Sequence, residues 1–237
     1  MRESTVVIAN VRPALLGTYG DGGNILVLER RLQWRGIGSE VVTVSLSQPV
    51  PGQADLYVLG GGEDAAQVAA VDHLERSPLR RAIESGAHAF GVCAGLQLFG
   101  TSFMTFTGDS RDGLGLLDVV TDRLETRAIG EVVCLPDSEL GLPTLSGFEN
   151  HGGRSTLSGD TKPLGRMSAG IGNGDGTGSE GAMRGRVLGT YLHGPVLARN
   201  PALADLLLER VLGQSLDPLD LPAHDGLRRD RLGAAGR

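Results

Sequence analysis

The feature that most constrains the fold is a series of short apolar runs, each ending abruptly in a turn or a nucleophilic residue. They lie at residues 5–9, 40–45, 55–59 and 87–92. Helical stretches alternate with them, at residues 25–34, 65–71 and 78–85. Strands that alternate with helices at this spacing predict βαβ units and an α/β fold built on a mainly parallel sheet. Ligands of such sheets bind at the carboxyl ends of the strands, so we expect a functional site there.

The second half of the chain is less regular. Strands are predicted at residues 117–120, 131–135 and 187–192, and the Gly-rich stretch 168–185 predicts a hairpin or a long loop. Residues 201–212 predict an amphipathic helix that opens with Pro201 and has Asn200 as its N-cap. We therefore expect one domain at residues 1–213 and a polar C-terminal tail at residues 214–237, frayed from about Asp217.

Composition excludes several classes of protein. The net charge is −6 with no long Lys/Arg run, which argues against a broad nucleic-acid-binding surface. The first residues lack a signal-peptide pattern, and no apolar run is long enough to span a bilayer, so we expect a cytoplasmic protein. In that compartment a disulfide between Cys93 and Cys134 is disfavoured, and no Cys/His spacing predicts a zinc site.

Cys93 directly follows the fourth predicted strand, within the sequence GVCAG at residues 91–95. This is the G-x-nucleophile-x-G elbow with Cys in place of Ser, a strained turn that needs small neighbours. The helix expected after it should lower the pKa of the thiol, and the Ala94 N–H is placed to stabilise an oxyanion. An isolated Cys is more often a core residue, and Cys134, which lacks the glycines, is assigned that role.

A cysteine nucleophile needs a base, and His193 is the best candidate among the five histidines. It follows the strand predicted at residues 187–192, so it also lies at a strand end. The others are expected elsewhere, His73 on a helix surface, His88 at the far end of the strand before the cysteine, and His224 in the tail. His151, within GFENHGG at residues 147–153, either lines the pocket or caps a turn.

Two glycine-rich stretches follow predicted strands. Residues 17–23 open a helix, as phosphate-binding loops do, but match neither a P-loop nor a dinucleotide fingerprint. We interpret that stretch as a structural turn. Residues 60–62, GGG, either form a flexible turn or allow backbone N–H groups to approach a ligand.

Together, three motifs resemble the class I, triad-type glutamine amidotransferases: GGG at 60–62, GVCAG followed by Gln97, and YLHGP at 191–195. The spacing of 100 positions between Cys93 and His193 also fits. The resemblance covers roughly residues 5–213 and implies a flavodoxin-like, doubly wound, mainly parallel sheet with flanking helices. Within the class, the chain is most similar to the cobyric-acid-synthase-like branch and to its GatD family. That similarity depends on YGDGGN at 19–24, GGGED at 60–64 and GFENHGG at 147–153.

The resemblance implies a chemistry for these residues. Cys93 attacks the side-chain amide of L-glutamine to form a glutamyl thioester, ammonia leaves, and His193 transfers the protons. The oxyanion would lie between the Ala94 N–H and an N–H of Gly61 or Gly62.

Substrate contacts are implied in the same way. Gln97 matches a position that helps to hold glutamine, although by itself it reads as an ordinary exposed helix residue. An arginine near Arg127 contacts the glutamine carboxylate in GatD-like proteins, and a guanidinium suits a carboxylate. Arg123 is the nearby competitor.

One residue departs from the pattern of the class. Many members carry an acid two residues after the histidine, where this chain has Pro195. Either another acid such as Glu149 replaces it, or a partner subunit provides the carboxylate. The GatD resemblance favours the partner, so that glutaminase activity would depend on complex formation.

The partner implied by the resemblance is a MurT-like Mur ligase that carries ATP and Mg, with no cofactor in this chain. The heterodimer would amidate the D-glutamate of lipid II, in the peptidoglycan stem, to D-isoglutamine, and the partner would reach the membrane-anchored substrate. Three alternatives stay open: an amidotransferase subunit for a cobalamin-type or other synthetase, a non-catalytic amidotransferase-like binding subunit, and a Cys peptidase on a related elbow fold.

Overall fold

The computed structural model describes residues 5–18 and 20–235, in which two six-stranded sheets form. The main sheet consists of β1 (Val6–Val11), β2 (Ser39–Val44), β3 (Leu56–Leu59), β4 (His88–Val92), β11 (Ala182–Arg184) and β12 (Val187–Thr190). Its order is β11-β12-β4-β3-β1-β2, and every pair is parallel except β11 with β12. Both the predicted α/β class and the flavodoxin-like order are confirmed.

Seven α-helices occur in the described residues: α1 (Gly22–Gln33), α2 (Asp64–Leu74), α3 (Leu79–Glu84), α4 (Ala94–Phe99), α5 (Val196–Arg199), α6 (Pro201–Leu212) and α7 (Pro222–Ala235). The helices predicted in the first half are all present. α1 begins three residues before the predicted start, in the glycine-rich stretch itself. None of these helices is both long enough and apolar enough to cross a bilayer, as far as the described residues go.

The core lies around β3 and β4, which occupy the middle of the main sheet. Every residue of both strands is buried. Parallel strands covered by helices on both faces are continuous apolar runs, which is why the sequence identifies them.

The second sheet consists of β5 (Ser102–Met104), β6 (Ser110–Asp112), β7 (Val119–Pro136), β8 (Leu145–Leu157), β9 (Gly165–Ala169) and β10 (Ser179–Glu180). It is antiparallel apart from the β5–β7 pair. The sequence does not predict this sheet. The strands predicted at 117–120 and 131–135 overlap the two ends of one 18-residue strand, β7, which begins at Val119. Its middle is polar and largely exposed, so it reads as a loop until β8 pairs with it.

The C-terminal part differs from prediction in two ways. Asn200 occupies the N-cap position of α6, but its side chain makes no capping bond. Its Oδ1 accepts from the Ser146 N–H at 2.9 Å, and its Nδ2 donates to the carbonyls of Ser146 (2.7 Å) and Val196 (2.9 Å). Instead of a frayed tail, the chain forms α7, where His224 Nε2 donates to the Ala198 carbonyl at 2.7 Å.

We predict that Asn200→Ala lowers the free energy of unfolding by about 2–3 kcal/mol, because it leaves buried backbone groups of β8 without partners. Urea denaturation measures this. Gln53→Ala, at an exposed loop position, is the matched control and should change stability by less than about 0.5 kcal/mol. Equal stability of the two variants would contradict the assignment of Asn200 as a structural link between β8 and α6.

Candidate active site

Cys93 lies in a strained elbow between β4 and α4. Its φ is +52° and its ψ is −105°, which a residue with a Cβ rarely adopts. The flanking glycines are required by space: a Cβ on Gly91 would lie 2.7 Å from the Gly95 carbonyl carbon, and one on Gly95 would lie 2.4 Å from the Leu59 carbonyl oxygen. The predicted nucleophile elbow therefore has the expected geometry.

The electrostatics of the sulfur differ from the prediction. The pKa of Cys93 is raised to about 12, first by burial and then by the charge of Asp21. The Ala94 N–H and the charge of Arg127 lower it, as expected of a helix start and a cation, but they are outweighed. The expectation of a lowered thiol pKa is therefore wrong for this chain by itself, because burial dominates.

The glycine turn after β3 lies beside the elbow. A Cβ on Gly60 would lie 2.2 Å from the Leu16 carbonyl oxygen, and one on Gly62 would lie 2.6 Å from the Leu15 carbonyl oxygen, so the turn is tightly enclosed. The Gly61 N–H donates to Asp21 Oδ2 at 2.7 Å. Gly62 lines the cavity that contains Cys93. Of the two predicted donors of this turn, Gly62 is therefore the one that faces the cavity.

His193 is placed by the neighbouring strand. Thr190 pairs with Val92, and the Thr190 carbonyl accepts from the Cys93 N–H at 2.8 Å. His193 follows three residues later, at the same edge of the main sheet, where it forms an antiparallel bridge with Phe148 of β8. The two predicted catalytic residues thus leave adjacent parallel strands at the same edge.

The His193 ring has a defined tautomer. Its Nδ1 lies 3.0 Å from the Phe148 carbonyl, which only accepts, so Nδ1 carries the hydrogen and Nε2 the lone pair. Burial, above all, and the charge of Arg127 lower the pKa of His193, against the raising effect of the Phe148 and Tyr191 carbonyls. The imidazole is therefore neutral at pH 7 and available as a base.

Two buried acids, Glu149 and Glu180, lie near the segment that carries His193. The Glu149 carboxylate accepts from the N–H groups of Ile171 and Gly172 at 3.0–3.1 Å. Glu180 Oε1 accepts from the Thr190 hydroxyl at 2.5 Å and the Tyr191 N–H at 2.9 Å, and burial raises the pKa of Glu180 to about 7. Both carboxylates accept from backbone N–H groups around the site. His193 Nδ1 instead bonds to a backbone carbonyl, that of Phe148.

A cavity of about 600 Å³ opens over Cys93. The two sheets share its walls, since Gly62 and Gln97 come from the main sheet and its connections, and Thr121, Arg127 and His151 from the second sheet. No group of three or more His, Cys, Asp or Glu side chains is arranged to hold a metal ion in the described part of the chain.

Gln97 is buried rather than exposed and belongs to a hydrogen-bond network. Its Oε1 accepts from Gln67 Nε2 at 2.9 Å, and its Nε2 donates to the Tyr191 hydroxyl at 2.9 Å. That hydroxyl also bonds to Ser155 Oγ at 2.8 Å. The network fixes the floor of the cavity. Sequence reasoning missed Gln67 and Ser155, because their partners are distant in the chain.

His151, left open by the sequence, lines the cavity. Its ring stacks on Tyr191 with the centroids 3.8 Å apart, and its Nδ1 lies 3.0 Å from the Gly153 carbonyl. Burial lowers the pKa of His151 to about 3, so the ring is neutral. It is part of the cavity wall, and a proton-transfer role is assigned to His193 alone.

The β7–β8 register breaks between Arg123 and Ala128, and this irregularity carries Arg127 over the cavity. Arg127 Nε donates to Asn150 Oδ1 at 2.7 Å and Nη2 to the Asn150 carbonyl at 3.2 Å. Arg123 also lines the cavity, but its guanidinium lies 4.8 Å from the centre of the Phe106 ring, at the rim. Only Arg127 of the two contributes to the pKa shift of Cys93.

The remaining candidates lie elsewhere. His88 is the first residue of β4, at the opposite edge from the elbow, and His73 is in α2. Cys134 is fully buried in β7, as predicted. Tyr19, the first residue of the YGDGGN motif, lies outside the described residues.

Residues 7–201 match the CobB/CobQ-like glutamine amidotransferase domain. Subunit GatD of the glutamine-hydrolysing lipid II isoglutaminyl synthase from Staphylococcus aureus is 37% identical over 198 residues, covering 82% of this chain and 79% of the relative. The Streptococcus pneumoniae GatD is 34% identical over 225 residues, covering 93% and 86%.

More distant matches agree. A cobyric acid synthase from Sphingopyxis alaskensis is 31% identical over 185 residues, covering 73% of this chain but only 35% of the relative. A solved structure described as a glutamine amidotransferase superposes with a TM-score of 0.60 at 21% identity, covering 87% of this chain and 98% of that one. At 21% identity, this structural similarity supports the fold assignment alone.

We predict that Gly95→Ala destabilises the chain by about 2–3 kcal/mol, because the added Cβ would overlap the Leu59 carbonyl of β3. Thermal unfolding measures the change. Gly226→Ala is the control, since its Cβ would meet only the end of the Arg229 side chain at 3.9 Å, and it should be neutral or stabilising by up to about 1 kcal/mol. A neutral Gly95→Ala would show that the elbow does not need its small neighbours.

Proposed function

This chain belongs to the family of CobB/CobQ-like glutamine amidotransferase domains, and we propose that it is the glutaminase subunit of a synthase that amidates lipid II. The observation that carries the proposal is the arrangement at the edge of the main sheet. Cys93 in its strained elbow and His193 leave neighbouring strands at the same edge, and the cavity over the sulfur also contains Gln97 and Arg127.

The first half of the reaction forms a thioester. The sulfur of Cys93 attacks the side-chain carbonyl carbon of L-glutamine while its proton passes to Nε2 of His193. The oxyanion lies between the N–H groups of Ala94 and Gly62, which approach it as backbone donors. The C–N bond then breaks, and His193 gives the proton to the departing ammonia. The carbon–sulfur bond formed holds the glutamyl group on Cys93.

The second half releases glutamate. A water molecule gives a proton to His193 and attacks the thioester carbon. When the carbon–sulfur bond breaks, His193 returns that proton to the sulfur, which restores the thiol. In both halves the imidazole must start neutral with its lone pair on Nε2. The Phe148 carbonyl sets that tautomer by accepting from Nδ1, and burial keeps the ring uncharged by lowering its pKa.

Arg127 is assigned to the carboxylate of the glutamine substrate. It lines the cavity, its charge acts on Cys93, and its guanidinium is oriented by Asn150. A planar guanidinium can bind a carboxylate with two parallel hydrogen bonds. Gln97 also lines the cavity, and each end of its amide, one bonded to Gln67 and the other to the Tyr191 hydroxyl, has one further hydrogen-bond position for the same substrate.

The proposed partner is a MurT-like Mur ligase that binds ATP and Mg and transfers the ammonia to the D-glutamate of the lipid II stem peptide, giving D-isoglutamine. Two relatives named as GatD subunits support it, because this chain spans 79% and 86% of their lengths. The cobyric acid synthase relative, of which the chain spans 35%, supports the cobalamin-type alternative less well. We propose a cytoplasmic location for this heterodimer, because its partner would consume ATP.

Dependence on the partner is supported by the surroundings of His193, because the buried acids Glu149 and Glu180 accept from backbone N–H groups elsewhere and Nδ1 of His193 faces a carbonyl. The carboxylate absent two residues after His193 is assigned to the partner, which would stabilise the imidazolium formed in each half-reaction.

We predict that glutaminase activity is low in the isolated chain and rises at least about 100-fold with the partner, and that Cys93→Ala and His193→Ala each lower kcat by about 1,000-fold or more. Ammonia release from L-glutamine is the measurement. His73→Ala, in α2 and remote from the cavity, is the matched control and should retain activity.

Other outcomes separate the alternatives. Full activity of Cys93→Ala would refute the mechanism, and full activity of the isolated chain would refute the borrowed carboxylate. A complex that is inactive with glutamine but binds it would indicate the non-catalytic subunit, whereas amidation of a corrinoid precursor rather than lipid II would indicate the cobalamin-type partner.

We further predict that Arg127→Ala raises KM for L-glutamine by about 10–100-fold with a smaller change in kcat, because the loss of a charge-assisted bond costs about 1.5–3 kcal/mol of binding. Arg123→Ala, which removes a neighbouring guanidinium of the same cavity, should change KM less than about threefold. Steady-state kinetics of the complex decide between them, and the reverse order of the two effects would reassign the carboxylate to Arg123.

A further inference from the structure

Asp21, directly before α1, binds the glycine turn at residues 60–62 that follows β3. Asp21 is 4% exposed, and its Oδ2 accepts from the Gly61 N–H at 2.7 Å. A Cβ on Gly60 would lie 2.6 Å from the Asp21 Cβ, so the two turns are in direct contact. With the Gly61 N–H fixed on this carboxylate, the next residue, Gly62, faces the cavity.

The first turn of α1, directly after Asp21, holds the segment after His193. Asn24 is fully buried, and its Oδ1 accepts from the Leu197 N–H at 3.0 Å. A Cβ on Gly23 would lie 2.3 Å from Pro195 Cγ. Residues 21–24 therefore connect the glycine turn to the chain that carries the base.

Asp21 also acts on the sulfur by its charge. Among all groups around Cys93, it is the largest cause of the raised thiol pKa after burial. The other groups that act on the thiol are the Ala94 N–H and Arg127, which lower that pKa, and Glu63, which raises it less. Tyr191, whose own pKa is raised by burial and then by the nearby sulfur, and His193, the proposed base, lie at the same edge of the main sheet. A negative charge beside a sulfur disfavours the thiolate.

We propose that Asp21 is a positioning residue of the glutaminase site: its buried carboxylate fixes the 60–62 turn so that Gly62 offers its N–H to the oxyanion, and it sets a negative charge beside the elbow that carries Cys93. The inference rests on the proposed function, because the oxyanion is that of the glutamine reaction. It gives residues 21–24, which the sequence alone indicates as a structural turn, a direct effect on the reacting centre.

The two roles are separable by substitution. In Asp21→Asn the amide oxygen still accepts from the Gly61 N–H but the negative charge is lost. In Asp21→Ala both are lost. Asp55→Asn is the matched control, since Asp55 Oδ2 also accepts one backbone N–H, that of Val7, at 2.7 Å, but lies before β3 at the opposite edge of the main sheet.

The test is the rate at which 2,2′-dipyridyl disulfide modifies Cys93 in the full chain, followed by mass spectrometry across about pH 4 to 9. Cys134, buried in β7, is the internal control for unfolding. At pH 8 we expect Asp21→Asn to react about tenfold faster than wild type, and Asp55→Asn to match wild type. This difference should disappear below about pH 5, because burial raises the pKa of Asp21 to about 6 and the wild-type carboxyl is then neutral as well.

The shape of the pH profile provides a second test. The wild-type rate profile should show a break near pH 6, where Asp21 loses its charge, and Asp21→Asn should lack it, whereas a break caused by His193 would remain in both. The same break in both profiles, or none in the wild type, would overturn the electrostatic role. Equal rates for folded Asp21→Asn and wild type at pH 8 would do the same. The modification requires neither glutamine nor the partner, so its outcome is independent of the proposed function.

The positioning role is tested by kcat of the partner complex. We expect Asp21→Ala to lose at least about tenfold in kcat with little change in KM, and Asp21→Asn to restore most of that loss because its amide accepts the same N–H. Equal losses in both variants would show that holding the turn is not what Asp21 contributes.

Discussion

The site depends on the pairing of β4 with β12. The backbone bond from Cys93 to the Thr190 carbonyl continues the parallel ladder one residue beyond the strand, so it fixes the elbow against the chain that leads to His193. A shift of that register by one residue would turn every side chain of β12 to the other face. Gly189 reinforces the pairing, since a Cβ there would lie 2.8 Å from the Leu96 side chain of α4.

A second constraint joins the two sheets. The bridge between Phe148 and His193 ties β8 to the edge of the main sheet, and the Phe148 carbonyl accepts both from the His193 backbone at 2.9 Å and from its ring. The nucleophile belongs to one sheet, and the base is oriented by the other. Because β7 pairs with β8, the same contact places the irregular segment that carries Arg127. The cavity is thus a product of both sheets, and neither alone would form it.

The sequence predicts those parts of this arrangement that have a local cause. β1, β3 and β4 are apolar runs because they are largely buried on both faces, and the elbow is recognised because its glycines surround Cys93 at fixed spacing. The second sheet has no such cause. Val119 pairs with Leu157, 38 positions away, and the polar middle of β7 becomes strand only through that partner. The Gln67–Gln97–Tyr191 network is invisible for the same reason, since Gln97 and Tyr191 are 94 positions apart.

The direction predicted for the pKa shift of Cys93 is wrong for a physical reason. A helix start beside a cysteine lowers its pKa when the sulfur is partly exposed, but Cys93 is 6% exposed and α4 is only six residues long. Burial therefore exceeds the effect of the Ala94 N–H, and the rise of the thiol pKa from 9.0 to about 12 corresponds to roughly 4 kcal/mol against the thiolate. A shift of that size cannot be read from a motif, because it depends on everything packed around the sulfur. In the proposed reaction it favours a concerted first step, in which the neutral His193 removes the proton as the carbon–sulfur bond forms.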